Sequence, residues 1–227
     1  MKKVLVMILA LALLSVGALA EGRLSVQGVG VVTVDANRAT ISLGVREYAD
    51  DVRTAQNAVN DKLATVIAAL EASGVEESAI STNSIGIYAN YDYTDGEKVI
   101  GYTAYNSVIL TVTDVDNVGA YIDTAFAAGA NDLDYVQFFA VDTIEAGDQA
   151  LALAVQAAQH KAQVLADAAG VELGELVEIR DEATSVYDVN DGFAKAENAD
   201  GDAGTTVLAS QQQVSASVTL VYAVSGE

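Results

Sequence analysis

Apolar and polar residues alternate along "RLSVQGVGVVTVDANRATISLGVREY" on both sides of "DANR", the period-two pattern of half-buried strands. It predicts two antiparallel strands, about 23 to 34 and 38 to 48. In "DDVRTAQNAVNDKLATVIAALEASG" the period changes. Val52, Ala55, Val59, Leu63, Val66 and Leu70 fall on one face at helical spacing, two aspartates stand at the start and Gly74 at the stop. "AISTNSIGIYANYDYTDGEKVIGYTAYNSVILTVTD" returns to alternation and reads as a long hairpin turning at Asp95-Gly96. A looser second cycle follows: a helix near 115 to 128 ended by Gly129, a strand in "LDYVQFFAVD", a long helix over about 143 to 169 ended by Gly170, then strands in "ELVEIRDE" and "QQVSASVTLVYAV". Between these last two, residues 183–208 are rich in Ala, Asp, Gly, Asn and Thr without periodicity and are expected to form a flexible acidic loop. The pattern predicts an α+β fold, with antiparallel strand pairs alternating with amphipathic helices packed on the sheet.

The first twenty residues, "MKKVLVMILALALLSVGALA", place two lysines before an apolar run and finish on Ala18-Leu19-Ala20. Those are the three regions of a secretory signal peptide, with cleavage expected after Ala20; an uncleaved membrane anchor is the alternative, since the run from Val4 to Leu19 approaches spanning length. No second long apolar run follows, so no stable membrane insertion is expected once the leader is removed. Residues 21–227 are read as one domain, although the length also suits two small ones. The chain has no cysteine, which excludes a disulfide framework, a lipoprotein anchor, a thiol nucleophile and thiolate metal sites. The formal charge of −21 becomes −23 without Lys2 and Lys3, because all 32 acidic residues remain. Such a balance argues against nucleic acid as a partner and names no ligand.

His160 is the single histidine, in "AVQAAQHKAQVLADAAG". On a helical wheel it points about 180° from Leu151, away from a core stripe of Leu151, Ala154, Val155, Ala158, Ala162, Leu165, Ala166 and Ala169. Its helical neighbours Gln156, Gln163 and Asp167 supply no second strong metal ligand at i+3 or i+4, so it reads as a surface histidine. Leu153, Ala157, Val164 and Ala168 form a second apolar stripe on the same helix, a candidate oligomer interface, with coverage by the same chain as the alternative. No serine has a base-and-orienter arrangement, and "GVGVV" lies in a strand pattern with no helix after it, so it is not a phosphate loop. Around Gly201, Ala196 and Val207 stand where an EF-hand needs oxygen ligands at positions 1 and 12. No catalytic, cofactor-binding or metal residue is nominated. Tyr88, Tyr91, Tyr93, Tyr102 and Tyr105 gather about the hairpin, as cross-strand packing or as a contact surface.

Five segments in order carry a resemblance: "SVQGVGVVTVDANRATISLGV", "GVEESAISTNSIGIYANYDY", "IGYTAYNSVILTVTDVDNVGAYIDTAFAAGAN", "AVQAAQHKAQVLADAAGVELGELVEI" and "VSASVTLVYAV". Together they resemble the SIMPL-domain family, exported bacterial proteins of unassigned activity that include periplasmic immunogenic and oxidative-stress defence proteins. This chain lacks the Pro-Asp pair usual in the family at Asp35 to Ala39, and a proline near "YANYDY". The resemblance implies an α+β fold, a tendency toward ring-like or barrel-like homo-oligomers, and no catalytic residues. The leading expectation is an exported, non-enzymatic, oligomeric scaffold or binding module in envelope stress physiology, whose protein or envelope partner the sequence does not name. A carboxylate-dependent hydrolase of envelope polymers and an acidic cation-binding protein are the alternatives.

Overall fold

The computed structural model describes residues 22–94, 96–188, 204–209 and 211–226. The expected leader, Asp95 and most of the acidic stretch, including the failed EF-hand pattern up to residue 203, lie outside these residues. The elements are β1 (Gly22–Asp35), β2 (Arg38–Ala49), α1 (Val52–Ala72), β3 (Ile80–Asp92), β4 (Lys98–Val112), α2 (Val118–Ala127), β5 (Asp132–Phe139), α3 (Ile144–Ala169), β6 (Val171–Asp188) and β7 (Gln211–Gly226). Strand β6 therefore runs on into the stretch expected to be loop from residue 183. Among the described residues, seven antiparallel strands form two sheets, ordered β1-β7-β6 and β3-β4-β2-β5. The α+β reading holds, but β1 and β2 are not partners as their adjacency led us to expect. β1 pairs with β7, and β2 with β4 and β5. Alternation fixes which face a side chain takes and says nothing about which strand lies alongside. By contact the described residues divide into two compact units.

The larger unit, residues 32–147 with 186–214, contains the four-stranded sheet, α1 and α2. Helix α1 starts where Asp51 accepts hydrogen bonds from the backbone N–H of Thr54 at 3.0 Å and its hydroxyl at 2.6 Å, satisfying a donor that the first turn leaves free. These bonds hold the Asp51 carboxyl below its usual value, the Thr54 hydroxyl contributing most. The helix ends in a Schellman arrangement: Gly74, at φ +103°, donates to Glu71 and Val75 donates back to Leu70. Gly129 closes α2 in the same way, with Ala130 donating to Ala125. Between its caps α1 buries Ala55, Val59, Leu63, Val66 and Leu70, as its spacing predicts, while Val52 is exposed. They meet Ala39, Ile41, Leu43 and Val45 of β2 and Ala104, Val108, Leu110 and Val112 of β4 in one core. These strand residues share one face by alternation, and the four from β2 are almost wholly buried.

The smaller unit, residues 22–31, 148–185 and 215–226, carries most of α3 against the three-stranded sheet. Val26, Val218, Leu220 and Tyr222 pack on Ala154, Ala158 and Ala162, with Leu24, Leu151, Val155 and Leu173 at the margin. The buried row of α3 is Ala150, Ala154, Ala158, Ala162 and Ala166, each 0 or 1% exposed. Leu165, placed in the core stripe by the wheel, is 43% exposed, and Ala169 is exposed too. The reason is geometric. A row spaced by four residues runs at about 26° to the helix axis, so it winds away from any stripe averaged along the axis. Small residues let the helix descend onto the strand: a Cβ on Gly28 would overlap the carbonyl oxygen of Ala154 and lie 2.5 Å from the nitrogen of Ala158. Gly30 meets Ala150 and Ala154 likewise. The glycines of "GVGVV" are there for this close approach.

Gly28→Val is expected to destabilise the protein by about 2 kcal/mol or more, as overpacking against backbone that has nowhere to move. Urea denaturation measures it, and an unchanged midpoint would mean that α3 does not ride so close to β1.

Candidate functional site

His160 is exposed on α3, as its wheel position implies. Beside it, Gln163 donates to Asp167 at 2.8 Å, and Lys161 donates to the backbone carbonyl of Gln27. Of the second stripe, Leu153 and Val164 are 44% and 50% exposed, Ala157 is half-buried and Ala168 exposed. Leu153 also borders Gly30 of its own chain. The stripe is thus open surface on a helix whose other side is fully packed.

Polar chemistry concentrates elsewhere, on the four-stranded sheet. The residues of β2 that alternate with its core row are Thr40, Ser42, Gly44 and Arg46. Ser42 is completely buried, and its hydroxyl donates to Asp134 at 2.8 Å and accepts from the Asn83 amide at 3.0 Å. Asn83 lies 3.4 Å from the hydroxyl of Ser107, also buried. The two residues that reach Ser42 share an origin. Asn83 is passed over in the β3–β4 register between Thr82 and Ser84, and Asp134 in the β2–β5 register between Leu133 and Tyr135. Each is the extra residue of a β-bulge, a device that re-aims a side chain. Neither bulge has a signature in the sequence, which is why the cluster escaped the sequence reading.

Four residues further along β2, Arg46 joins the other three strands. Its Nε and Nη2 donate to a single oxygen of Asp132 on β5 at 3.2 and 2.7 Å, and Nη1 donates to the Tyr88 hydroxyl on β3 at 3.1 Å. The guanidinium carbon stands 5.3 Å from the centre of the Tyr105 ring on β4, a cation–π contact. The Asp132 carboxylate, then the Tyr88 hydroxyl, raise the Arg46 pKa above its already high ordinary value. The side chain of Asn131 closes the start of β5 onto β2, accepting from the Arg46 backbone N–H and donating to its carbonyl, both at 2.8 Å. Tyr88 and Tyr105 are a tilted ring pair with centroids 6.3 Å apart, and Tyr91 and Tyr93 a second at 6.0 Å. Cross-strand packing therefore accounts for part of the tyrosine cluster, while Tyr88, Tyr91 and Tyr93 keep much of their surface exposed.

A cavity of about 80 Å³ is lined by Arg46, Tyr105, Ser107, Asp132 and Asp134, and by Asn106, whose side-chain oxygen is buried without a partner. The volume suits two or three water molecules rather than an organic substrate. Ser42 is out of reach of any substrate, and Asp132 is committed to Arg46. A hydroxyl activated only by a carboxylate is a weak nucleophile, because the base that completes such triads is absent here. Among the described residues no three histidine, aspartate or glutamate side chains gather as a metal site. What the arrangement does chemically is tie four strands together through polar groups that, the Asn106 oxygen apart, satisfy one another.

Arg46→Ala is expected to cost about 1 kcal/mol in urea denaturation, since the ion pair is 44% and 31% exposed and solvent screens it. A loss several times larger would mean that the buried Ser42 cluster depends on it. Comparison with known proteins adds the family. The family model SIMPL, described as a protein of unknown function (DUF541), matches residues 24–222. The 26 kDa periplasmic immunogenic protein of Brucella melitensis is 34% identical over 167 residues, 69% of this chain and 65% of that protein. The uncharacterized protein YggE of Escherichia coli K12 is 30% identical over 154 residues, 66% of this chain and 63% of that protein. The chain spans less than two thirds of the length of these curated relatives. With a match that covers nearly all the residues from β1 to β7, and with the α+β architecture its motifs imply, this chain belongs to the SIMPL family.

Proposed function

We propose that the chain is exported to the periplasm with its leader removed after Ala20, and that the processed protein acts as a homo-oligomeric, non-enzymatic scaffold or binding module in envelope stress physiology. The observation that carries the assembly is the exposed apolar row on α3. Leu153, Val164 and Leu165 are each more than two-fifths exposed, and Val29 and Val31 of β1 and Leu176, Val177 and Ile179 of β6, in the same compact unit, are exposed as well. Single exposed apolar residues need no explanation, but so many in a small unit suit a surface that another molecule covers. A second copy of the chain is the occupant the reading names. The mutual satisfaction of the Ser42 and Arg46 clusters favours the non-enzymatic reading over the hydrolase. The periplasm is supported by the name of the Brucella relative together with the leader pattern, and the stress role by family resemblance alone.

Leu153→Glu with Val164→Glu is expected to release folded monomers, because an unpaired charge buried at a contact costs several kcal/mol while the alanine row beneath stays untouched. Light scattering reads the mass and circular dichroism the fold. An assembly that persists would place the contact elsewhere, and loss of fold would show the row to be internal. Mass spectrometry of the exported protein is expected to give a chain beginning at Glu21; an intact Met1 would contradict export with processing.

A further inference from the structure

At one end of the four-stranded sheet, where β2 begins and β4 ends, a cavity of about 530 Å³ opens among Arg38, Glu76, Ser78, Thr113, Asp114 and Tyr121. We propose that it binds a small zwitterion, an amino acid or short peptide, with the ligand carboxylate on Arg38 and its ammonium on Glu76 and Asp114. This goes beyond assembly and does not depend on it.

Arg38 carries the argument. Three of the lysines and arginines among the described residues are ion-paired, and the others, Arg38 excepted, lie exposed to solvent. Arg46 pairs with Asp132, Lys62 with Glu47 and Arg180 with Glu178. Arg38 makes no ion pair among the described residues, and its Nε is buried without a hydrogen-bond partner. A half-buried guanidinium without partners is costly, and a ligand carboxylate on its solvent-accessible Nη groups relieves the cost. Nη1 and Nη2 form a planar fork that matches a carboxylate by two parallel hydrogen bonds. Glu76 and Asp114 line the same cavity without pairing to Arg38. Each is steadied from the side, Glu76 by the Ser78 hydroxyl at 3.3 Å and Asp114 by the Asn117 amide at 2.7 Å, and each keeps lone pairs to accept from an ammonium. One positive and two negative groups repel a multiply charged anion such as phosphate and favour a ligand carrying both signs. The volume lies within the range of small-molecule sites and admits one to a few amino-acid residues.

Isothermal titration of the purified protein at pH 7 with glycylglycine, glycine, acetate and inorganic phosphate tests the proposal. Glycylglycine or glycine is expected to bind saturably, acetate about tenfold or more weakly, and phosphate not measurably. Whichever of the first two binds tighter assigns the site to peptide or free amino acid. Arg38→Gln is expected to abolish binding, and Arg38→Lys to weaken it by about tenfold because a point charge does not reproduce the fork. Glu76→Gln with Asp114→Asn is expected to weaken the zwitterion and spare acetate. Nuclear magnetic resonance on the unaltered protein should show ligand-induced shifts at residues 74–79 and 111–114, a readout that needs no variant to fold. Absence of zwitterion binding, binding that survives Arg38→Gln, shifts elsewhere, acetate binding as tightly as the zwitterion, or a preference for phosphate each overturns it.

Discussion

The alternation of strand β2 is the constraint to which the larger unit answers. Its odd residues from Ala39 to Val45 enter the core beneath α1 and α2, and its even residues from Thr40 to Arg46 carry the polar groups of the other face. A shift of one residue would exchange the two sets, putting Ser42 and Arg46 among leucines and valines. Both neighbours are fitted to that register. The bulges in β3 and β5 each add a residue, and both additions, Asn83 and Asp134, close on the Ser42 hydroxyl. A buried hydroxyl with good partners costs little, whereas one left over costs a kilocalorie or more, about 1–3 kcal/mol. The polar cluster therefore selects the register that the apolar row already prefers.

The smaller unit solves a different problem. With no cysteine to cross-link it, the chain must gain stability from close contact alone. Glycines on β1 face alanines on α3, so the backbones themselves meet, and dispersion contacts between main chains replace those of large side chains. The same choice leaves the bulkier residues of α3, Leu153, Val164 and Leu165, on the outside.

Much of this was legible in the sequence. The periods of α1 and of the β3–β4 hairpin, the aspartate at the head of α1, and the glycines at 74, 129 and 170 with their positive φ angles all follow from local rules. The exposed position of His160 followed from its wheel. What was not legible is non-local. The partners of β1 and β2 depend on which strand arrives alongside, the bulged residues on register between strands distant in sequence, and the place of Leu165 on the slant of a four-residue ridge. The polar cluster and the Arg38 cavity come from those same long-range pairings.

Tyr105 of β4 and Tyr48 of β2 also cover glycines on the neighbouring strands. The Tyr105 ring lies across Gly86, and the Tyr48 ring across Gly101, its hydroxyl donating to the Ile100 carbonyl at 2.6 Å. A glycine in a strand offers no side chain to cover its amide, and an aromatic plate from the next strand supplies the cover. The two rings shield the ladder from solvent at the places where a glycine leaves it uncovered.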